Sequence, residues 1–236
     1  RKESSAASDV YKRQRSLYDW LDSYHTFSFD GYYNPRRMNF GALRVLNDDR
    51  IAPGEGFGTH PHKNMEIITI PLKGRLQHGD SKQNHRTITP GYIQTMSAGT
   101  GIYHSEMNGS DTEEVELLQI WVMPEKLNTP PAYQDYDIRS YLHKNELALI
   151  VSPDGNAPAK MLQQTWFSIG EVEAGKKTGY HLHQSHAGVY IFLIEGEIKV
   201  DGTVLSRRDG MGVYETNSLE IETLKDSHIL LMEVPM

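Results

Sequence analysis

The chain has 236 residues, a formal net charge of −7 and no cysteine, with 38% hydrophobic and 23% charged residues. Nothing concentrates Lys and Arg as a nucleic-acid surface requires, and the missing cysteine excludes disulfides, thiolate-bound zinc, iron–sulfur clusters and thiol nucleophiles. No apolar run approaches the length of a membrane span and no signal-peptide pattern is visible, while the absence of cysteine fits a reducing cytoplasm.

In chain order, Arg1–Gln14 is polar, small and without period, and reads as a disordered or non-native tail; Asp9–Gln14 resembles translated linker sequence. Ser16–Leu21 has room for a helical turn or two. Tyr24–Phe29 alternates polar and aromatic residues as a half-buried strand does. Phe40–Leu46 is a strand candidate, ended by Asn47-Asp48-Asp49. Pro53–Gly58 is a turn cluster, and Met65–Leu72 a strand broken by Lys73-Gly74. Arg75–His78 and Arg86–Thr89 follow, then the turn Pro90-Gly91 and the strands Tyr92–Met96 and Val115–Met123. Pro124–Leu127 is a second candidate for a short helical turn.

Residues 129–136, with Pro130-Pro131 and little apolar content, read as a linker between a domain at 15–128 and another at 137–236. In the second, Leu147–Val151, Trp166–Ile169, Val189–Ile194 and Ile229–Val234 are the clearest strands, and Asp201-Gly202 suits a two-residue hairpin. An internal repeat supports the division: Gly54, His60 and His62 recur as Gly175, His181 and His183 with identical spacing. Brief strands and Gly/Pro turns throughout predict an all-β protein, a pair of sandwich or jelly-roll barrels.

The chemistry concentrates in Gly54–Asn108. His60-Pro61-His62 and His104-Ser105-Glu106 each place two ligand-type side chains at i and i+2, on the same side of an extended strand. Two such strands side by side would converge three imidazoles and a carboxylate. That donor set suits a divalent transition metal in an open, reactive site.

Gly54-x5-His60-x-His62-x3-Glu66 followed by Gly74, and Gly91-x5-Ser97-x-Gly99 followed by His104-x3-Asn108, resemble the two cupin motifs. The first has one extra residue before its last Gly; the second has Ser for the usual Pro and a two-residue insertion. Within the cupins the chain resembles the pirin family, through Trp20–Phe27, Phe57–His62, Met65–Thr69 and Ser97–Glu106. The resemblance implies tandem cupin barrels, a bicupin, with His60, His62, His104 and Glu106 as metal ligands in the first. It also implies one divalent transition metal, Fe2+ first and Mn, Ni, Co, Cu or Zn otherwise.

Several bacterial pirins open the heterocycle of quercetin and related flavonols with dioxygen and release carbon monoxide. The resemblance therefore implies a quercetin 2,3-dioxygenase-like enzyme whose partners are a phenolic, flavonol-like substrate and O2. Glu106 would accept the substrate's hydroxyl proton. The rival reading is a non-enzymatic, metal-bound interaction protein or transcriptional cofactor, as eukaryotic pirins are described.

Around these residues, Glu66 is expected near the ligands or on the hairpin surface. His25 either orients a ligand or substrate or is a structural core histidine. His78, Asp80 and His85 read as hairpin surface, Asn108 as fixing a turn, and the Met and aromatic residues of Leu117–Met123 as core. The second barrel has His181 and His183 but no His-x-Glu after Asp209-Gly210, and is expected to be degenerate and metal-free.

Overall fold

The computed structural model describes residues 7–11 and 13–236. Strand periodicity decides its layout. In Val115–Val122, Leu118, Ile120 and Val122 turn to one side and enter the largest apolar core, while Leu117, Gln119 and Trp121 turn to the other. The same alternation in Ala187–Glu195 sends Tyr190, Phe192 and Ile194 into that core and Val189, Ile191 and Leu193 into a separate one. The largest core is thus the contact between two barrels, and each barrel keeps its own interior.

The first barrel is a seven-stranded sheet facing a four-stranded one. Edge to edge, the large sheet runs Ala132–Asp137, Tyr92–Ser97, Glu66–Lys73, Val115–Val122, Leu43–Ile51, Leu21–His25 and Gln14–Leu17. The small sheet runs Gly56–His62, Ile102–Asn108, Leu76–Asp80 and His85–Ile88. The second barrel repeats the plan with sheets of seven and four strands, and all but one of the described strand pairings are antiparallel. This is the expected all-β pair of jelly-roll barrels. The Asp201-Gly202 hairpin joins Val200 to Thr203 with both turn residues at positive φ, as a two-residue primed turn requires. Gly74, the last glycine of the first motif, has φ +74°, and a Cβ there would lie 2.6 Å from the Glu114 carbonyl oxygen.

Several expectations are corrected. Ala7–Tyr11, within the expected tail, is a strand paired with Gly210–Tyr214 at the edge of the second barrel's large sheet, and Gln14 opens the next strand; residues 1–6 and 12 lie outside the described residues. Backbone pairing at an open edge needs no side-chain period. Ala132–Asp137, which takes up most of the expected linker and the residue after it, pairs with Tyr92–Ser97 and closes the first barrel's large sheet. Neither expected helical turn forms, and the single helical segment among the described residues is a 3-10 turn at Arg139–Tyr141. Asn47-Asp48-Asp49 does not end its strand, which continues to Ile51. All three residues are buried: Asn47 meets His25, Asp48 meets Arg13 and Arg208, and Asp49 meets Ser23 alone among the described residues.

Candidate active site

Two adjacent strands of the first barrel's small sheet carry the site. Ile102–Asn108 alternates so that His104, Glu106 and Asn108 are buried while Tyr103 is exposed. Its neighbour Gly56–His62 pairs His60 with His104 but Phe57 with Glu106, so a β-bulge inserts one extra residue between Phe57 and His60. The bulge turns Phe57, His60 and His62 toward one cavity although they are not all two residues apart.

One potential ligand nitrogen from each of His60, His62 and His104 lies within 4.8 Å of the others, the only such group of three among the described residues. Nε2 of His104 and Nε2 of His60 are 2.9 Å apart. Nδ1 of His60 donates to the Gly58 carbonyl at 2.7 Å, which leaves the Nε2 lone pair turned to the common point. Burial and then the neighbouring His60 imidazole push His62 down to about 4; burial, then His60, His62 and His78, push His104 far below its ordinary value. Both rings are held neutral, the form that ligates a metal. The donor set therefore fits a divalent metal ion, and three imidazoles favour a transition metal over Mg or Ca.

Glu106 stands apart from the three-histidine group. Its carboxylate takes Nε2 of Gln119 at 2.6 Å and the Thr69 hydroxyl at 3.2 Å, with Nε2 of Gln94 at 3.5 Å. Tyr133 in turn donates to Gln94 at 3.2 Å. Gln119, Thr69 and Gln94 are direct cross-strand neighbours on the inner face of the large sheet. Burial raises the Glu106 pKa, opposed by the nearby His78 and by its donors.

The cavity holds about 600 Å³ and is bounded by His60, His62 and Glu106 together with Trp20, Phe29 and Trp121. Trp20 meets Phe57 edge to face at 5.3 Å, and Trp121 meets both Phe29 and His62 at similar range. His25 lies on the wall formed by the large sheet. Its Nδ1 contacts the Asn47 Oδ1 at 2.8 Å and its Nε2 the Ser16 hydroxyl at 3.0 Å.

Three site expectations change. Glu66 falls on the strand face that carries Ile68 and Ile70, so it points to the second barrel; it takes the backbone N–H groups of Leu162 and Gln163 at 2.8 and 2.7 Å. His78 and Asp80 are not hairpin surface: their side chains are fully buried, 3.0 Å apart, and Tyr133 stacks on His78. Trp121, expected in the core, borders the cavity, and so does Gln119, to which sequence reading assigns no role. Asn108 fixes a turn as expected, donating to the Ile51, Ala52 and Glu113 carbonyls and accepting from Ser110 N–H. Sequence reading missed Asp49, Thr69 and Gln94; their signal was strand parity with Gln119, visible only once the register is known.

At the repeated pair of the second barrel the environment differs. His181 is exposed, and His183 is tied to the fully buried Glu233 at 2.8 Å and stacked on Trp166. The interior behind them is filled by Val189, Ile191, Leu193, Met211 and Ile229.

Fold and site together define a metal-binding bicupin with one polar, ligand-lined barrel and one packed with hydrocarbon. Residues 8–122 match the profile of the pirin family, and residues 149–234 that of the quercetinase C-terminal cupin domain. The chain is 39% identical to the quercetin 2,3-dioxygenase of Escherichia coli K12 over 95% of its own length and 96% of the relative's. The crystal structure of YhhW from E. coli superposes with a TM-score of 0.92 at 37% identity, covering 97% of this chain and 98% of that one. The same bacterial pirin in complex with nickel(II) gives a TM-score of 0.91 over 97% and 99%. The protein belongs to the pirin family.

Proposed function

We propose that the protein is a metal-dependent dioxygenase that opens the heterocycle of quercetin-like flavonols with O2 and releases carbon monoxide. The observation that carries this reading is the junction of a three-histidine cluster, a buried carboxylate and an aromatic-walled cavity of about 600 Å³, ample for a three-ring phenol. The chain's relatives include the E. coli quercetin 2,3-dioxygenase.

His60, His62 and His104 would hold the ion, with Glu106 as the fourth ligand or as a base beside it. Bound there, a divalent transition metal would act as Lewis acid toward the substrate's enolic hydroxyl and as the partner for O2 chemistry. Fe2+ is the resident ion in this reading; Mn, Ni, Co, Cu and Zn suit the same donors.

The protein's own residues do the rest. Glu106, held by Gln119 and Thr69, accepts the hydroxyl proton, and the burial that raises its pKa makes it a stronger base than an exposed carboxylate. Trp20, Phe29, Phe57 and Trp121 stack on the ring system and keep water from the reacting carbon. A cysteine-free chain suits work in a reducing cytoplasm.

The test is oxygen consumption and bleaching of quercetin by protein loaded separately with Fe, Mn, Ni, Co and Cu, with His62→Ala as control. Turnover by the parent alone is expected. No turnover with any of these metals would end the proposal.

A further inference from the structure

Among the described residues five carboxylates have almost completely buried side chains, and four of them are amply supplied with donors. Asp80 accepts from His78 and from the Asn84 backbone and amide. Glu66 accepts from two backbone N–H groups and from Ser97. Glu233 accepts from the His183 and Gln184 backbones and from the Tyr180 hydroxyl. Glu106 accepts from Gln119 and Thr69. Asp49 is the exception. It is 2% exposed, and the Ser23 hydroxyl is the one side chain that donates to it among the described residues.

Its neighbours do not make up the deficit. Asp48, the next residue along the strand, turns the opposite way and occupies the cations Arg13 and Arg208 itself. Both ring nitrogens of His25 are engaged by Asn47 and Ser16. A buried carboxylate with so few partners is costly unless something else arrives to meet it. Ser23 and Asp49 sit directly opposite each other on paired strands, and both border the cavity on the wall formed by the large sheet. The histidines stand on the small sheet across from them.

We propose that Ser23 and Asp49 form a hydroxyl-binding anchor for the part of a polyphenolic substrate that lies away from the histidines. Resting on the flavonol reading, this narrows the substrate class to flavonols that carry ring hydroxyls besides the enolic one. A phenolic O–H would donate to the Asp49 carboxylate, while the Ser23 hydroxyl either stays on Asp49 or turns to a second phenolic oxygen, as a catechol pair would present. Walls that are otherwise aromatic bind flavonols of any substitution pattern, so Asp49 would be the specificity-determining residue. An unsubstituted ring would leave it unpaired and be rejected.

The experiment uses the full chain loaded with metal and kept free of oxygen, so that binding is read without turnover. Quenching of tryptophan fluorescence is titrated with quercetin and, separately, with 3-hydroxyflavone, which has the enolic hydroxyl and no other. The parent should bind quercetin about tenfold or more tighter, the discrimination expected of one charge-assisted hydrogen bond. Asp49→Leu should remove most of that ratio by weakening quercetin while leaving 3-hydroxyflavone within about threefold. Ser23→Ala, a smaller change that keeps the measurement available if the leucine variant does not fold, should shift the ratio in the same direction. An unchanged ratio in both variants, or an equal loss for both ligands, overturns the anchor while leaving the flavonol reading intact. Failure of the parent to bind either ligand defeats the flavonol reading itself, and the anchor with it.

Discussion

Glu106 and Gln119 meet at 2.6 Å inside the first barrel, one on the ligand-bearing small sheet and the other on the large sheet opposite. This bond ties the two sheets together at the carboxylate. The Oε1 of Gln119 lies 2.9 Å from the Thr69 hydroxyl, whose one hydrogen is shared between this oxygen and Glu106, so the Gln119 amide is oriented from both ends. Replacing it by leucine removes a donor from Glu106 and leaves that carboxylate short of partners in an apolar wall. Gln119→Leu should lower kcat for quercetin about tenfold to a hundredfold, the usual cost of losing a group that orients a metal-site side chain. Metal content, held by the histidines, should stay near the parent's by elemental analysis. Parent-like turnover in Gln119→Leu would show that the bond does not position Glu106.

Glu66 gives the opposite expectation. It belongs to the same first motif as His60 and His62, yet strand parity sends it away from the histidines to the backbone of Leu162 and Gln163. Glu66→Gln should keep full metal stoichiometry. It should lower stability by about 1–3 kcal/mol, since one carboxamide cannot accept as the carboxylate does from Ser97 and two N–H groups. Chemical denaturation and metal analysis on one preparation read both. Loss of metal with unchanged stability would place Glu66 at the metal instead.

How much of this was legible follows from what each residue depends on. His60, His62 and His104 could be found because their spacing along two strands is local, and both strands are short and bounded by glycines. Asp49 and Gln119 could not. Each sits on a strand whose sequence neighbours look like a turn or a core, and its role comes from which strand lies beside it. Asn47-Asp48-Asp49 has turn composition, but its partners Arg13, Ser23, His25 and Arg208 are 22 to 160 residues away. Likewise Ala7–Tyr11 shows no hydrophobic alternation, and only the open edge at Gly210–Tyr214 makes it a strand. Long-range pairing is the information that local pattern lacks.

Arg208 anchors the second barrel to the first. Its side chain is 3% exposed and reaches Asp48 at 2.9 Å and Glu195 at 3.2 Å, with Glu116 at 3.9 Å. Removing one member of a buried ion pair costs about 3–5 kcal/mol where the other charge is left alone, and the cost here falls below that because Asp48 keeps Arg13. Arg208→Ala should therefore unfold at markedly lower denaturant than the parent. Asp48→Asn combined with Arg208→Met, which removes both charges, should recover a large part of the loss. A double variant no more stable than Arg208→Ala would mean that packing of the long side chain, and not its charge, holds the barrels together.

Asp49 also makes stability depend on pH. Burial is the main cause that raises its pKa to about 7, the Ser23 hydroxyl opposes the rise, and the negative charges of Asp48 and Glu106 add to it. A carboxyl whose folded pKa lies above its unfolded one binds more proton when folded, so folding is favoured at low pH and the benefit is lost as pH rises. Both states are protonated below about pH 4, and the full penalty is reached above about pH 7. Asp49→Asn cannot ionise and can still accept from Ser23. Its stability relative to the parent should climb between pH 5 and pH 8, by at most about 4 kcal/mol, read as a Tm difference of several degrees that opens over that range. Metal-free protein is used for both, so that proton competition at the histidines is not read as stability. Curves that run parallel from pH 5 to pH 8 would mean that Asp49 ionises in the folded protein as freely as in the unfolded chain.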